Sequence, residues 1–192
     1  MIRILRVLAL CGAFLPVLAA AAPQVDVEYK LIKPAQPVMG KKIEVIEFFS
    51  YACPHCGEFE PALQSWLKRK PRDVDYRGVP MVFRPQWKAG AKLYYALETM
   101  GAVDQYHQKI YDAFHKEGKE LVTDDAVKAW VRTVGIDGAK FDQIYDSFAV
   151  DTKVQRAATI GRAYGVQFTP SLAVNGKYYP GPSMSGGNDY AK

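Results

Sequence analysis

Hydrophobic positions along the chain follow two different periods, and each change of period marks the boundary of a predicted element. A run dense in β-branched and aromatic residues at 43–49 predicts a central strand. Apolar residues then recur at helical spacing, which predicts a helix from about 53 to 70 with a kink at Pro61. A further strand is predicted at 74–83, so these elements form a strand–helix–strand unit with a parallel pair. A shorter alternating run at 25–31 predicts an edge strand.

The second half of the chain is predicted to be mainly helical. Apolar positions keep the helical period from about 88 to 164, and only short loops separate the successive predicted helices. This pattern predicts a compact helical insertion rather than a repeat array. The β pattern returns at 169–179, where Asn175-Gly176 between two strand-like runs predicts a hairpin turn. Residues 188–192 look like the beginning of a helix.

The N-terminal residues 1–21 are expected to lie outside this fold. Two arginines precede an apolar run at 7–18, and the alanines at 19–22 supply a small-residue cleavage site. This arrangement is typical of a secretory signal peptide, cut near Ala21. We interpret Cys11, inside the apolar run, as one of its hydrophobic residues with no further role. No other stretch approaches the roughly 20 apolar residues that a membrane span requires.

The composition and net charge argue against some classes of function. The chain has 192 residues, of which 49% are hydrophobic and 23% charged, and this is ordinary for a globular domain with an insertion. Loss of Arg3 and Arg6 with the signal peptide lowers the formal net charge from +5 to +3. So small a charge, without clustered basic and aromatic residues, argues against nucleic-acid binding.

The predicted mature chain keeps two cysteines, Cys53 and Cys56, in the sequence Cys-Pro-His-Cys. They lie where the predicted strand 43–49 gives way to a helix. Unpaired N–H groups and the helix dipole stabilise a thiolate there, so we expect the pKa of Cys53 to fall well below ~8.5. Pro54 suits the first helical position, and His55 adds a positive charge or a donor near the sulfur. A stabilised thiolate favours the reduced form, so the disulfide is expected to be an oxidant.

The segment Glu47–Cys56, followed downstream by Thr169-Pro170, closely resembles the active-site pattern of the DsbA family of periplasmic thiol:disulfide oxidoreductases. The order of the elements supports the resemblance over about 25–190. The resemblance implies an α/β, thioredoxin-like fold over residues 22–192, with a mixed sheet flanked by helices and an inserted all-helical domain. It also implies a full C-terminal helix, of which only 188–192 remain, so we expect that helix to be truncated.

The same resemblance implies how the cysteine pair is used. A periplasmic protein of this kind, here expected to be monomeric, passes its disulfide to unfolded or partly folded exported proteins that carry free cysteines. A DsbB-like, quinone-linked oxidase of the inner membrane then re-oxidises it. The redox-active disulfide itself serves in place of a cofactor, and no metal is expected.

Five residues receive roles from the resemblance. Cys53 would be the exposed nucleophile and Cys56 the buried resolving thiol. Pro170 would be a cis-proline facing the disulfide, and the backbone of Thr169 would pair with an extended substrate segment. Glu47 would lie beneath the resolving cysteine as a possible proton relay, the alternative being a strand-end charge that reaches solvent.

Other functions stay open from the residues alone. A reductase or isomerase for dedicated clients would share the fold. A metal carrier would use Cys53, Cys56 and His55, although adjacent ligands on one turn do not close a tetrahedral site. A chaperone-like protein would bind peptides and carry its cysteines incidentally.

A few further side chains are assigned from the pattern. Arg77 is a candidate to neutralise the acid beneath the resolving cysteine from the adjacent strand. His107 and His115 are expected on the surface of an amphipathic helix, and the three tryptophans are expected in packing. Tyr51 and Phe59 either border a substrate groove or pack in the core.

Overall fold

The computed structural model describes residues 22–180, so the predicted signal peptide and the predicted C-terminal helical start lie outside the described residues. The described chain forms one five-stranded mixed sheet with strand order β1-β5-β4-β2-β3. The strands are β1 (Lys30–Leu31), β2 (Ile43–Phe49), β3 (Val74–Pro80), β4 (Ser171–Val174) and β5 (Tyr178–Tyr179). β2 and β3 pair in parallel, and the other neighbours are antiparallel.

Six α-helices complete the described part of the chain. The first connects β2 to β3, and the other five lie between β3 and β4, after a 3₁₀ turn at Pro85–Trp87. The helices are α1 (Pro54–Arg69), α2 (Lys88–Met100), α3 (Val103–His115), α4 (Asp124–Thr133), α5 (Gly138–Tyr145) and α6 (Phe148–Ala163). No helix within residues 22–180 is both long and apolar enough to cross a membrane.

β2 is an interior strand of the sheet and pairs with β3 on one side and β4 on the other. Every residue of the strand except Ile43 is buried, as expected for a strand covered on both faces. Two of these buried residues are acids, Glu44 and Glu47. Burying a carboxylate is costly unless it is paired, hydrogen-bonded or protonated. Packing of the strand does not require these two acids, so each is a candidate for a functional role.

The helical segment between β3 and β4 packs around α2, which contacts α3, α4, α5 and α6. α4 begins after Thr123, whose hydroxyl accepts a hydrogen bond from the Ala126 N–H and so caps the helix. α3 lies against α1 and thereby brings its buried face towards the cysteine pair. This contact between α1 and α3 positions much of the candidate site.

Two predicted strands are shorter than expected. The predicted edge strand over 25–31 is wrong for its first half, since Asp26 has a φ of 64° and residues 24–29 form a turn. Only Lys30–Leu31 pair, with β5. β3 ends at Pro80; the Met81 N–H still bonds to the Phe49 carbonyl, and the chain then leaves the sheet.

Candidate active site

Cys53 lies at the junction that the sequence predicted, between the end of β2 and the first turn of α1. It is the N-cap residue of α1, with extended backbone dihedrals, and Pro54 occupies the first turn. Its carbonyl accepts from the N–H groups of Cys56 and Gly57, which starts the helix. The Cys53 sulfur therefore lies over unpaired N–H groups of a helix terminus, where negative charge is stabilised.

The pKa of the Cys53 thiol is lowered to about 5. The largest cause is the hydrogen bond from the Cys56 thiol, and partial burial opposes it. Hydrogen bonds from the Thr169 side chain and from the backbone N–H groups of Cys56 and His55 lower it further. Cys53 therefore carries a thiolate at neutral pH when the pair is reduced, the state in which both cysteines are free in this structure.

The His55 ring pairs with Glu58, with 3.1 Å between Nδ1 and the carboxylate. That carboxylate is the main reason that the pKa of His55 is raised, and the Cys53 charge adds to the effect. By reciprocity, a protonated His55 stabilises the Cys53 thiolate. Because the ring is well exposed, with 59% of the side chain accessible, solvent weakens this contribution.

Thr169, which precedes Pro170, lies directly against Cys53. The bond between Thr169 and Pro170 is cis, as the resemblance implied, and a second cis bond joins Lys33 to Pro34. When protonated, the Cys53 thiol donates to the Thr169 carbonyl across 3.3 Å. Two segments more than a hundred residues apart in sequence thus meet at one sulfur atom.

Cys56 occupies a very different environment. Its side chain is fully buried, whereas Cys53 retains 7% of its accessible surface. Cys53 is therefore less exposed than the sequence analysis expected. Burial is the largest cause of a strongly raised pKa, and the neighbouring Cys53 adds to it through a hydrogen bond and its charge. The charge of Glu47 also raises the pKa of Cys56. Cys56 is therefore protonated in the reduced protein.

Glu47 is fully buried and does not reach solvent as a strand-end charge would. Burial raises its pKa to about 7, and the Tyr76 hydroxyl, which donates to Oε2 across 2.5 Å, partly offsets the rise. The suggestion that Arg77 neutralises Glu47 is wrong. Arg77 pairs instead with Glu44, at 3.0 Å.

A further buried acid, outside β2, was missed by the sequence analysis. Glu60 of α1 is fully buried, and its Oε2 lies 3.4 Å from Nε2 of His107 on α3. The predicted surface position of His107 is wrong, because the residue is 5% exposed and its Nδ1 lies 2.7 Å from the Tyr51 hydroxyl. The sequence did contain a signal, since Cys56, Glu60 and Leu63 share one face of α1 at helical spacing.

The remaining assigned side chains serve mainly in packing. Tyr51 is buried in the core, and Phe59 is half-buried. His115 is exposed as a whole, but its Nε2 lies 2.8 Å from the Tyr51 carbonyl. Trp130 is buried in the core, while Trp66 and Trp87 are half-buried. Residues 22–180 contain no group of three or more His, Cys, Asp or Glu side chains arranged to hold a metal ion.

Comparison with known proteins shows the family to which this chain belongs. The profile of the family described as DSBA-like thioredoxin domain matches residues 44–191. The chain belongs to this DsbA-like family. A thiol:disulfide interchange protein DsbA of Bordetella parapertussis is 40% identical to it over 192 residues, which cover 98% of this chain and 90% of that protein.

Solved DsbA structures have the same fold. The crystal structure of a single-substitution variant of Pseudomonas aeruginosa DsbA superposes with a TM-score of 0.84 at 33% identity, covering 88% of this chain and 92% of that one. The oxidoreductase DsbA of Xylella fastidiosa superposes with a TM-score of 0.78 at 28% identity, covering 88% and 95%. The predicted thioredoxin-like α/β fold is confirmed.

Membership of the DsbA-like family also defines the type of reaction. The protein is a thiol:disulfide oxidoreductase, an enzyme that acts by exchange between thiols and disulfides. Its chemistry rests on a redox-active cysteine pair, as in the rest of the family.

Proposed function

We propose that this enzyme works as a dithiol oxidase, in which the Cys53–Cys56 disulfide is donated to other proteins. The observation that carries the proposal is the unequal environment of the two sulfurs. The Cys53 pKa is lowered to about 5, whereas that of Cys56 is strongly raised. Stabilising one thiolate favours the reduced pair, and a pair that prefers to be reduced is an oxidant.

In the proposed mechanism, a client thiolate attacks the Cys53 sulfur of the oxidised enzyme. The Cys53–Cys56 bond breaks, and its electron pair leaves with the Cys56 sulfur, which takes up a proton. A second client thiolate then attacks the client sulfur of the mixed disulfide, and Cys53 leaves as a thiolate. The client is oxidised by two electrons and the enzyme is reduced by two. A leaving thiol of low pKa departs faster, so the environment of Cys53 accelerates the second step.

Clients are proposed to bind as extended segments beside Thr169 and Pro170, where Pro170 offers no N–H and the backbone groups of Thr169 pair with the client. Phe168, the preceding residue, is 49% exposed and lines a cavity of about 630 Å³. The cavity wall is basic and apolar, with Lys33, Arg162 and others and without an acidic residue. Such a surface suits unfolded segments of varied sequence.

The cellular setting follows from the same proposal. The enzyme would act in the periplasm as a monomer, on exported proteins with free cysteines, with residues 1–21 removed as a signal peptide. The mature part would be a thioredoxin-like domain over 22–192, interrupted by the helical insertion at about 88–164. A DsbB-like, quinone-linked membrane oxidase would restore the disulfide, and Glu47 would relay a proton to and from Cys56.

Two titrations of the isolated enzyme test the direction of the reaction. Thiolate absorbance of the reduced protein is expected to titrate with a pKa near 5, and equilibration with glutathione is expected to give a potential above the thioredoxin value of about −270 mV. A pKa of 7 or more together with a strongly negative potential would identify a reductase instead. The variant Cys53→Ser is the control, because it should lose the low-pH absorbance change.

A further inference from the structure

The end of the molecule opposite the cysteine pair carries a concentration of basic side chains. α1 connects the parallel strands β2 and β3 and therefore runs back along them, so its last turn lies where both strands begin. Cys53 lies beyond the other end of β2. β2 has seven residues, so about 20 Å of strand separates the two ends.

Backbone hydrogen bonds bring three segments of the sequence together at this end. The N–H of Ile43, the first residue of β2, donates to the Asp73 carbonyl just before β3. The N–H of Asn175, in the turn between β4 and β5, donates to the Glu44 carbonyl across 2.7 Å. Residues 41–44, 68–75 and 175–177 thus lie side by side.

We call the charged part of this surface the basic pole. Its cations come from all three segments and are Lys41, Lys42, Lys68, Arg69, Lys70, Arg72 and Lys177. Its acids are Asp73 and Asp75, together with Asp104 of α3, which lines a cavity with Lys68 and Lys70. The resulting excess of four positive charges is larger than the formal net charge of +3 of the predicted mature chain. The rest of that chain is therefore slightly negative.

Most cations of the basic pole have no acidic partner. Within residues 22–180, Lys42 is the one pole cation in an ion pair, with Asp75 at 3.1 Å. In the remainder of the described chain, eight of the fifteen Lys and Arg side chains are ion-paired. The dipole of α1 favours Lys68 and Arg69 in its last turn, but it does not account for Arg72 or Lys177. Crowded like charges repel one another, so an anionic partner would stabilise this end of the molecule.

We propose that the basic pole binds an anionic membrane surface, through the phosphate groups of acidic phospholipids. All its cations except the half-buried Lys70 are exposed, and they are spread over three segments, which suits an extended charged surface. Each lysine or arginine close to such a surface adds to the affinity. The proposal rests on the proposed periplasmic location, where that surface is the outer leaflet of the inner membrane. It does not depend on the direction in which the disulfide is transferred.

This orientation has a consequence for the reaction. With the basic pole on the bilayer, Cys53 and Thr169 lie at the end of the molecule that is away from the lipid. The enzyme would be concentrated at the membrane from which exported chains emerge, while its sulfur stays open to them.

Flotation of the protein with lipid vesicles tests the proposal. The processed protein is purified after export, so that residues 1–21 do not insert into the lipid. It is mixed with vesicles of phosphatidylcholine alone or of phosphatidylcholine with one third phosphatidylglycerol. We expect it to float only with the anionic vesicles, and to be released by added salt because salt screens exposed charges.

Three variants locate the contact. Arg69→Gln/Arg72→Gln removes two exposed, unpaired cations and is expected to weaken vesicle binding at least about tenfold. Lys177→Gln acts on a different segment of the basic pole and is expected to weaken binding about threefold. The matched control is Lys140→Gln/Arg156→Gln, which removes the same charge from exposed, unpaired residues of α5 and α6. Its binding should be nearly unchanged.

Several results would overturn the proposal. Equal flotation with both kinds of vesicle would exclude recognition of anionic lipid, and an equal loss in the control would indicate net charge rather than a surface. Unchanged binding of Lys177→Gln would show that the segments do not act together. Release by soluble glycerol phosphate would assign the pole to free phosphate, and tighter binding of duplex DNA than of vesicles would assign it to nucleic acid. Every variant should equilibrate with glutathione as the unmodified enzyme does, so a failure of lipid binding is distinguishable from a failure of the proposed thiol chemistry.

Discussion

Cys53 and Cys56 are three residues apart, yet their surroundings favour opposite protonation states. Cys53 caps a helix and receives hydrogen bonds from Cys56, Thr169 and backbone N–H groups, so its pKa falls to about 5. Cys56 lies one helical turn further on and is fully buried, so its pKa is strongly raised. A single turn of helix is enough to move a side chain from the reactive edge of the sheet to its interior.

The contrast separates two tasks of a disulfide exchanger. The Cys53 side holds negative charge, and in the proposed mechanism it is the side that forms the mixed disulfide with a client. The Cys56 side holds a proton, close to the acids of β2 and α1. The fold therefore does not simply make a pair of reactive thiols. In the reduced enzyme it places the negative charge on Cys53 and the proton on Cys56, and each prediction below tests this difference.

The largest effect is expected from removing each sulfur in turn. Cys56→Ser should form a stable mixed disulfide with oxidised glutathione at pH 6, because Cys53 keeps its donors from Thr169 and the helix backbone and the serine hydroxyl can donate in place of the Cys56 thiol. Cys53→Ser should react at least about a hundredfold more slowly, because Cys56 is buried and protonated. Mass spectrometry of quenched samples measures both rates. Equal rates for the two variants would remove the basis of the comparison.

The next effect concerns stability on the Cys56 side. Burial raises the pKa of Glu47 from 4.5 to about 7, so the folded protein keeps a proton that the unfolded chain releases between these values. The stability of the folded state therefore falls as the pH rises from 4.5 to 7. The Glu47→Gln variant has no carboxylate to ionise at this position, so it does not lose this stability. Its free energy of unfolding, relative to that of the original protein, should therefore increase by about 3 kcal/mol between pH 4.5 and 7.

Urea denaturation of the oxidised proteins at pH 4.5, 7 and 8 measures this difference without a contribution from the thiols. Glu44→Gln is the matched control in the same strand, because Glu44 contacts Arg77 and lies outside the pair formed by Glu47 and Tyr76. If the pH has the same effect on both variants, Glu47 is not the group that titrates.

Sequence pattern alone predicted the scaffold of the site well. The strand at 43–49, the helix that begins at Cys53 and the Asn175-Gly176 turn all match the structure, because each rests on a strong local signal. The mistaken partner of Glu47 came from ignoring register. In the parallel pair, Arg77 lies opposite Ile46 and therefore on the face of Glu44, whereas Tyr76 lies opposite Val45 and on the face of Glu47.

The buried Glu60 and His107 were harder to predict. Acids and histidines on amphipathic helices usually face water, so residue type argued for exposure. Their burial depends on the packing of α3 against α1, which joins residues 47 positions apart. Local periodicity places each of them on the apolar face of its helix. Only the tertiary structure shows that the two side chains contact each other, so that each gives the other a polar partner in the core. Polar groups of this kind are found where function overrides the usual pattern.

The smallest effect is expected on the Cys53 side, at His55. Its ring is exposed and paired with Glu58, so its charge reaches the Cys53 thiolate through solvent. His55→Ala should raise the pKa of Cys53 only slightly, because the hydrogen bond from Cys56 is the main cause of the depression. Glu58→Gln should act in the same direction and more weakly, because it removes the group that raises the pKa of His55. Thiolate absorbance against pH measures both shifts. A return of the Cys53 pKa to 8 or above in His55→Ala would show that the imidazole, and not the helix terminus with its thiol donor, creates the difference between the two sulfurs.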